Sequence, residues 1–152
     1  MTTDRARHAI AAAAAVLSVL AASTAWAQFR SIGANAAVLY DAPSDKARRL
    51  YVVNRGYPLE VVVVLERWVK VRDANGELTW VESKALADRR TVMVKVPFAA
   101  VRQAPDDASP VVFQAEQNVI LEFEDAATGG WLRVKHRDGQ AGYIKAADVW
   151  GA

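Results

Sequence analysis

The side chains that could carry out catalysis are few in this sequence. Its histidines are His8 and His136, and it contains no cysteine. His136 lies between two cations in a predicted turn, and no serine has a nucleophile-elbow sequence around it. Glu122 and Glu124 alternate with apolar residues and are predicted to lie on a solvated strand face. We therefore expect no enzymatic activity, no cofactor, and no zinc or calcium site.

Two tryptophans with cations at strand spacing are the stronger candidates, and they point to binding. The candidate residues are Trp68, Lys70 and Arg72, then Trp131, Arg133 and Lys135. Because side chains alternate between the faces of a strand, each Trp and its two cations are predicted to share the outer face. An outward Trp can stack on a ligand, and Lys or Arg can hold a carboxylate or phosphate. The alternative is that each Trp lies on Lys and Arg stems, or between modules, with no ligand.

Other aromatic residues are secondary candidates. Trp80 and Tyr143 are predicted to pack in the barrel rather than to contact a ligand. Tyr40 and Tyr57 have no aromatic counterpart later in the chain, so any role they have is confined to the first half of the protein.

An internal repeat accounts for the two tryptophan clusters. Trp68–Gly76 matches Trp131–Gly139 at an offset of 63, and Trp80-Val81 matches Tyr143-Ile144 at the same offset. Upstream, Val38–Pro43 pairs with Ala100–Pro105 at an offset of 62. Three anchors in one order indicate two tandem copies, which we place at residues 28–90 and 91–152.

Each copy has the pattern of a small β domain. Short apolar or alternating runs are separated by turn residues, and no ten-residue stretch has helical periodicity. Asn75-Gly76 and Asp138-Gly139 predict type I′ hairpin turns. The tails Ser83–Leu86 and Ala146–Val149 suit one turn of 3₁₀ helix. We expect an all-β protein of two five-stranded barrels. The junction lacks Gly and Pro, which predicts modules that pack on each other.

The first 27 residues have the pattern of an export signal. Two arginines precede an apolar run, and Ala25 and Ala27 satisfy the small-x-small rule, which predicts cleavage before Gln28. The run is rich in Ala and short for a membrane span. We therefore expect a periplasmic or secreted protein with no stable membrane span after cleavage.

The motifs of the repeat resemble the bacterial SH3 (SH3b) family. The second copy carries Ala104-Pro105, Gly130-Trp131, Asp138-Gly139 and Gly142-Tyr143-Ile144 in the order of that family. The first copy departs from it at Arg67 and Thr79. Leu39-Tyr40-Asp41 is similar to an element of eukaryotic SH3 domains, but Ala42 replaces the second aromatic, so no polyproline groove is expected.

The resemblance implies a non-catalytic binding module, whose partner is a peptide, a peptidoglycan fragment or an envelope protein. The alternative is a structural or assembly protein, in which the Val61–Val64 run and the aromatics form domain or subunit interfaces. The formal net charge of +2 argues against binding to nucleic acid. An oligonucleotide-binding barrel is a rival fold, but its usual length is about twice one repeat.

Overall fold

The computed structural model describes residues 28–152. The predicted export signal, with its cleavage residues Ala25 and Ala27, lies outside the described residues. Two separate antiparallel sheets follow one another along the described part of the chain. The prediction of an all-β protein with two tandem modules is therefore confirmed.

Module one is a sheet with the strand order β3-β2-β6-β5-β4-β1-β7. Its strands are β1 (Gln28–Ile32), β2 (Ala36–Tyr40), β3 (Arg49–Asn54), β4 (Pro58–Val64), β5 (Trp68–Arg72), β6 (Leu78–Glu82) and β7 (Leu86–Ala87). Alternate residues of these strands point inward, so the sheet curves around one core. That core contains Ile32, Ala37, Leu39, Leu59, Val69, Val71, Val81 and Leu86.

Module two repeats this topology with the order β10-β9-β13-β12-β11-β8-β14. Its strands are β8 (Thr91–Val94), β9 (Phe98–Arg102), β10 (Val111–Glu116), β11 (Ile120–Ala126), β12 (Trp131–Lys135), β13 (Ala141–Lys145) and β14 (Val149–Trp150). Each sheet has seven strands where the sequence predicted five. The additional strands include β7 and β14, whose two residues are too few to form an alternating pattern.

The hairpin turns occur where the sequence placed them, but their type differs from the prediction. Gly76 and Gly139 have positive φ angles of 85° and 95°, whereas Asn75 and Asp138 do not have positive φ. A type I′ turn requires positive φ at both central residues. Each turn is instead a longer loop, in which only the Gly takes the left-handed conformation. The predicted 3₁₀ turns are present at Ser83–Ala85 and Ala146–Asp148.

The two modules contact each other through aromatic and cationic side chains. The guanidinium of Arg90 lies 4.3 Å from the ring centroid of Phe123 and donates a 3.0 Å hydrogen bond to the carbonyl of Gly151. Phe29 of β1 meets Trp150 of β14 edge to face, with ring centroids 5.1 Å apart. The prediction that the modules pack on each other is confirmed.

Candidate functional site

Trp68 and Trp131 are buried, which contradicts the prediction that both are exposed for stacking on a ligand. Only 6% of Trp68 and 7% of Trp131 are exposed. Each Trp is the first residue of its strand, where side chains from neighbouring strands cover it. The ring of Tyr40, at the end of β2, meets Trp68 edge to face at 5.2 Å. The ammonium of Lys145 lies 5.6 Å from the centroid of Trp131.

Tyr40 is buried as well, with 8% of its surface exposed. The Tyr40–Trp68 pair is therefore a packed contact between β2 and β5 rather than an open stacking surface. In module two Arg102 stands in the place of Tyr40, and its guanidinium donates to the carbonyl of Ser109 at 2.7 Å.

A cation and an aromatic side chain do share the outer face of each module, but they lie on two neighbouring strands rather than on one. The cation is on β5 or β12, and the aromatic is on β6 or β13. Lys70 is opposite Trp80 in the register of β5 and β6, and its ammonium lies 5.8 Å from the Trp80 centroid. Arg133 is opposite Tyr143 in the same way, at 5.6 Å. Trp80 and Tyr143 are half-buried and lie outside the two buried cores. The prediction that they pack in the barrel was wrong.

On the outer face of module two the cation is already neutralised by an ion pair. The Nε of Arg133 lies 2.9 Å from a carboxylate oxygen of Glu124, and Asp125 is opposite Arg133 in the register. Hydrogen bonds to the hydroxyl of Tyr143 and to Glu124 raise the pKa of the Arg133 guanidinium above its usual value. We call Glu124, Asp125, Arg133 and Tyr143 the paired face.

The corresponding surface of module one is apolar and carries an uncompensated charge. Val62 and Val63, which are 38% and 42% exposed, occupy the β-bulge positions that Glu124 and Asp125 occupy in module two. Lys70 has no acidic partner within the described residues. We call Val62, Val63, Lys70 and Trp80 the open face.

The remaining predicted cations lie farther along the same strands. Arg72 is ion-paired with Glu60 at 2.8 Å, so it is not free to hold a ligand without breaking that pair. Lys135 is opposite Glu122 in the register of β11 and β12. The structure thus keeps Lys70 and Arg133 beside an aromatic ring and separates Arg72 and Lys135 from it.

A family model described as the bacterial SH3 domain matches residues 33–88 and again residues 95–151. The two matches together span more than half of the chain. The chain belongs to the bacterial SH3 domain family. Both matched segments fall within the two modules described above, and SH3 modules of this class are binding modules that are usually non-catalytic.

Solved structures with low similarity include three NlpC proteins. NlpC1 of Trichomonas vaginalis is 20% identical over 84% of this chain and 48% of its own, with a TM-score of 0.38. NlpC2 of the same organism is 19% identical over 81% and 47%, with a TM-score of 0.37. An NlpC/P60 family protein of Bacillus cereus is 19% identical over 80% and 55%, with a TM-score of 0.36. The tandem SH3 chain spans about half the length of these proteins. No curated protein matches it.

Several titratable side chains of the SH3 modules form ordinary surface pairs. The Nδ1 of His136 lies 3.0 Å from a carboxylate oxygen of Asp138, and hydrogen bonds from Gln140 and from His136 lower the pKa of Asp138 to about 2. Glu122 pairs with Arg89, whereas Glu124 pairs with Arg133, so the two acids serve different partners. Within residues 28–152 no group of His, Asp or Glu side chains is placed to hold a metal ion.

The described part of the chain also contains no helix with the length and apolarity of a membrane span. Trp80, Val62 and Val63 were not predicted to lie on the outer face. The sequence carried a signal for Trp80, because strand alternation places it on the same face as Glu82 and opposite Val81, and Thr79 and Val81 are fully buried. The outward position of the valines follows from the bulge in β4, for which the sequence has no marker.

Proposed function

We propose that this protein is a non-catalytic extracytoplasmic binding module whose open face takes a cell-wall fragment. The observation that carries the proposal is the half-buried Trp80 with the unpaired ammonium of Lys70 beside it. An aromatic face offers stacking area at low entropic cost, and the ammonium offers a partner for a carboxylate. Peptidoglycan fragments present both a sugar ring and carboxylate groups.

The difference between the two modules supports a single binding face in module one. On the paired face, Glu124 already occupies Arg133, so a carboxylate ligand would have to displace it. On the open face, Lys70 is held only by the Trp80 ring, and valines replace the acids. A ligand therefore gains a charge-assisted contact in module one without an internal competitor.

The extracytoplasmic location is part of the proposal and depends on the sequence of residues 1–27. The two arginines, the apolar run and the Ala25–Ala27 pair are typical of a cleaved export signal. Absence of cysteine fits either side of the envelope. Amino-terminal sequencing of the protein recovered from cells tests this part, because cleavage predicts a chain that begins at Gln28.

Binding is tested by titrating residues 28–152 with solubilised peptidoglycan fragments and following intrinsic tryptophan fluorescence. We expect a saturable change that Trp80→Ala abolishes and Lys70→Ala weakens. Tyr143→Ala is the matched control, because it alters the same strand position on the paired face. Equal loss in Trp80→Ala and Tyr143→Ala would argue against a site confined to the open face, and no change with the wild type would reject wall binding.

A second candidate function, assembly with another protein chain, is favoured by the apolar end of β4. Val62, Val63, Val64 and Leu65 are 38%, 42%, 66% and 44% exposed and carry no charge among them. An exposed apolar strand segment of this kind is a template for association. The variant Val62→Glu with Val63→Asp copies the residues of the paired face. If the function is assembly, the wild type will have the mass of an oligomer by light scattering and this variant that of a monomer.

A further inference from the structure

A concave feature of the described chain lies between the two modules rather than on either outer face. It is a cleft of about 690 Å³ that residues of both modules line. Its lining includes the apolar residues Ile32, Ala87, Val119 and Ile120. Its volume falls within the roughly 300–1,000 Å³ that is typical of small-ligand sites. None of the open-face residues contributes to it.

The cleft differs from the rest of the described surface in its arginines. Two of the arginines that line it have no ion pair and no side-chain hydrogen bond to another described residue. Most arginines in residues 28–152 are ion-paired or donate to a carbonyl, namely Arg30, Arg48, Arg67, Arg72, Arg89, Arg90, Arg102 and Arg133. Arg49, Arg55 and Arg137 have no side-chain partner within the described residues. Two of these three, Arg55 and Arg137, line the cleft.

The two unpaired arginines of the cleft come from different modules. Arg55 follows β3 in module one, and Arg137 lies in the turn after β12 in module two. The acid of the cleft, Glu122, is already neutralised by Arg89. The cleft therefore presents two exposed guanidinium groups beside apolar side chains, and the one carboxylate that lines it is already paired.

From this arrangement we infer that the cleft between the modules is a second binding site, which takes a short peptide by its carboxylate. A guanidinium binds a carboxylate through two parallel hydrogen bonds, and an extended peptide places apolar side chains next to that group. A peptide held by Arg55 and Arg137 together would contact both modules. Its carboxylate is the terminal one or that of an acidic side chain, and the first is the simplest to test.

The probe for the test is tetraalanine with a free carboxyl terminus, and its C-terminal amide is the matched ligand that lacks the charge. The protein is titrated with each while NMR follows the Nε–Hε signals of the arginine side chains. We expect saturable shifts at Arg55 and Arg137 with the free acid and none with the amide. Arg55→Ala and Arg137→Ala should each weaken binding about tenfold, as the loss of one charge-assisted contact does.

Arg49→Ala is the matched control variant, because Arg49 is also exposed and has no side-chain partner in residues 28–152 but lies outside the cleft. It should leave the affinity within a factor of two. Equal weakening by Arg49→Ala, equal binding of the amide, or no shift at millimolar tetraalanine would overturn the inference. Inorganic phosphate that shifts Arg55 and Arg137 when tetraalanine does not would also overturn it. Trp80→Ala should leave tetraalanine binding unchanged, so failure at the cleft and failure at the open face are distinguishable.

Discussion

Replacing Trp68 by Ala should unfold module one rather than remove a ligand contact. The side chain is 6% exposed, and truncation of a buried aromatic residue to Ala costs about 3–5 kcal/mol. A folded chain has a net stability of roughly 0.05–0.15 kcal/mol per residue. The expected loss is therefore of the same order as the whole stability of a module this small.

Milder substitutions measure the coupling free energy between the rings of Trp68 and Tyr40. The two rings meet edge to face at 5.2 Å with an interplanar angle of 88°, a geometry that adds about 0.5–1.5 kcal/mol beyond burial. Free energies of unfolding of Tyr40→Leu, Trp68→Leu and the double variant, from guanidinium titrations followed by circular dichroism, should yield a coupling energy in that range.

The control is Trp80→Ala, which removes a half-buried Trp from the open face. It should cost less stability than Trp68→Ala and leave the circular dichroism spectrum unchanged. If Trp68→Ala keeps the wild-type stability within about 0.5 kcal/mol and loses binding of wall fragments, Trp68 is a ligand contact, as the sequence alone predicted, and not a packing residue.

Three further outcomes are expected. Gly142→Ala should destabilise module two by at least about 1–3 kcal/mol in thermal unfolding, because a Cβ there would lie 2.5 Å from the carbonyl oxygen of Arg102; an unchanged midpoint would contradict the close packing. Arg90→Ala should uncouple the modules, and calorimetry should then resolve two transitions in place of one. The Asp138 carboxyl should titrate near pH 2 by NMR, below the ordinary 3.8; the stability it contributes is complete above its unfolded pKa and is lost as the pH falls through about 2. A titration near 3.8 would contradict the hydrogen bonds from Gln140.

The fold could be predicted from the sequence because the features that determine it are local and repeated. Alternation of Val69 and Val71 with polar neighbours identifies a strand with one buried face, and Gly76 and Gly139 mark the hairpins. Each feature occurs twice in the same order, so the second copy supports the assignment of the first. The strand β7 was missed because its pairing with β1 depends on residues far apart in the chain.

The site was harder to predict, because burial depends on contacts between distant segments. Alternation correctly separates Trp68 from Val69, but it gives no information about Tyr40, which covers Trp68 from a different strand. Likewise, the pairing of Lys70 with Trp80 depends on the register of two strands. The sequence thus identified a cation and an aromatic on the outer face, and the structure changed which aromatic it is.

A site on the open face is tested by locating the bound ligand on the protein surface. Amide and indole NMR signals of residues 28–152 should be recorded during titration with solubilised peptidoglycan fragments. We expect the largest shifts at the Trp80 indole and at Val62, Val63 and Lys70, and no shifts on the paired face. Shifts at Arg133 and Tyr143 of equal size, or an unperturbed Trp80 indole at saturating fragment, would contradict it.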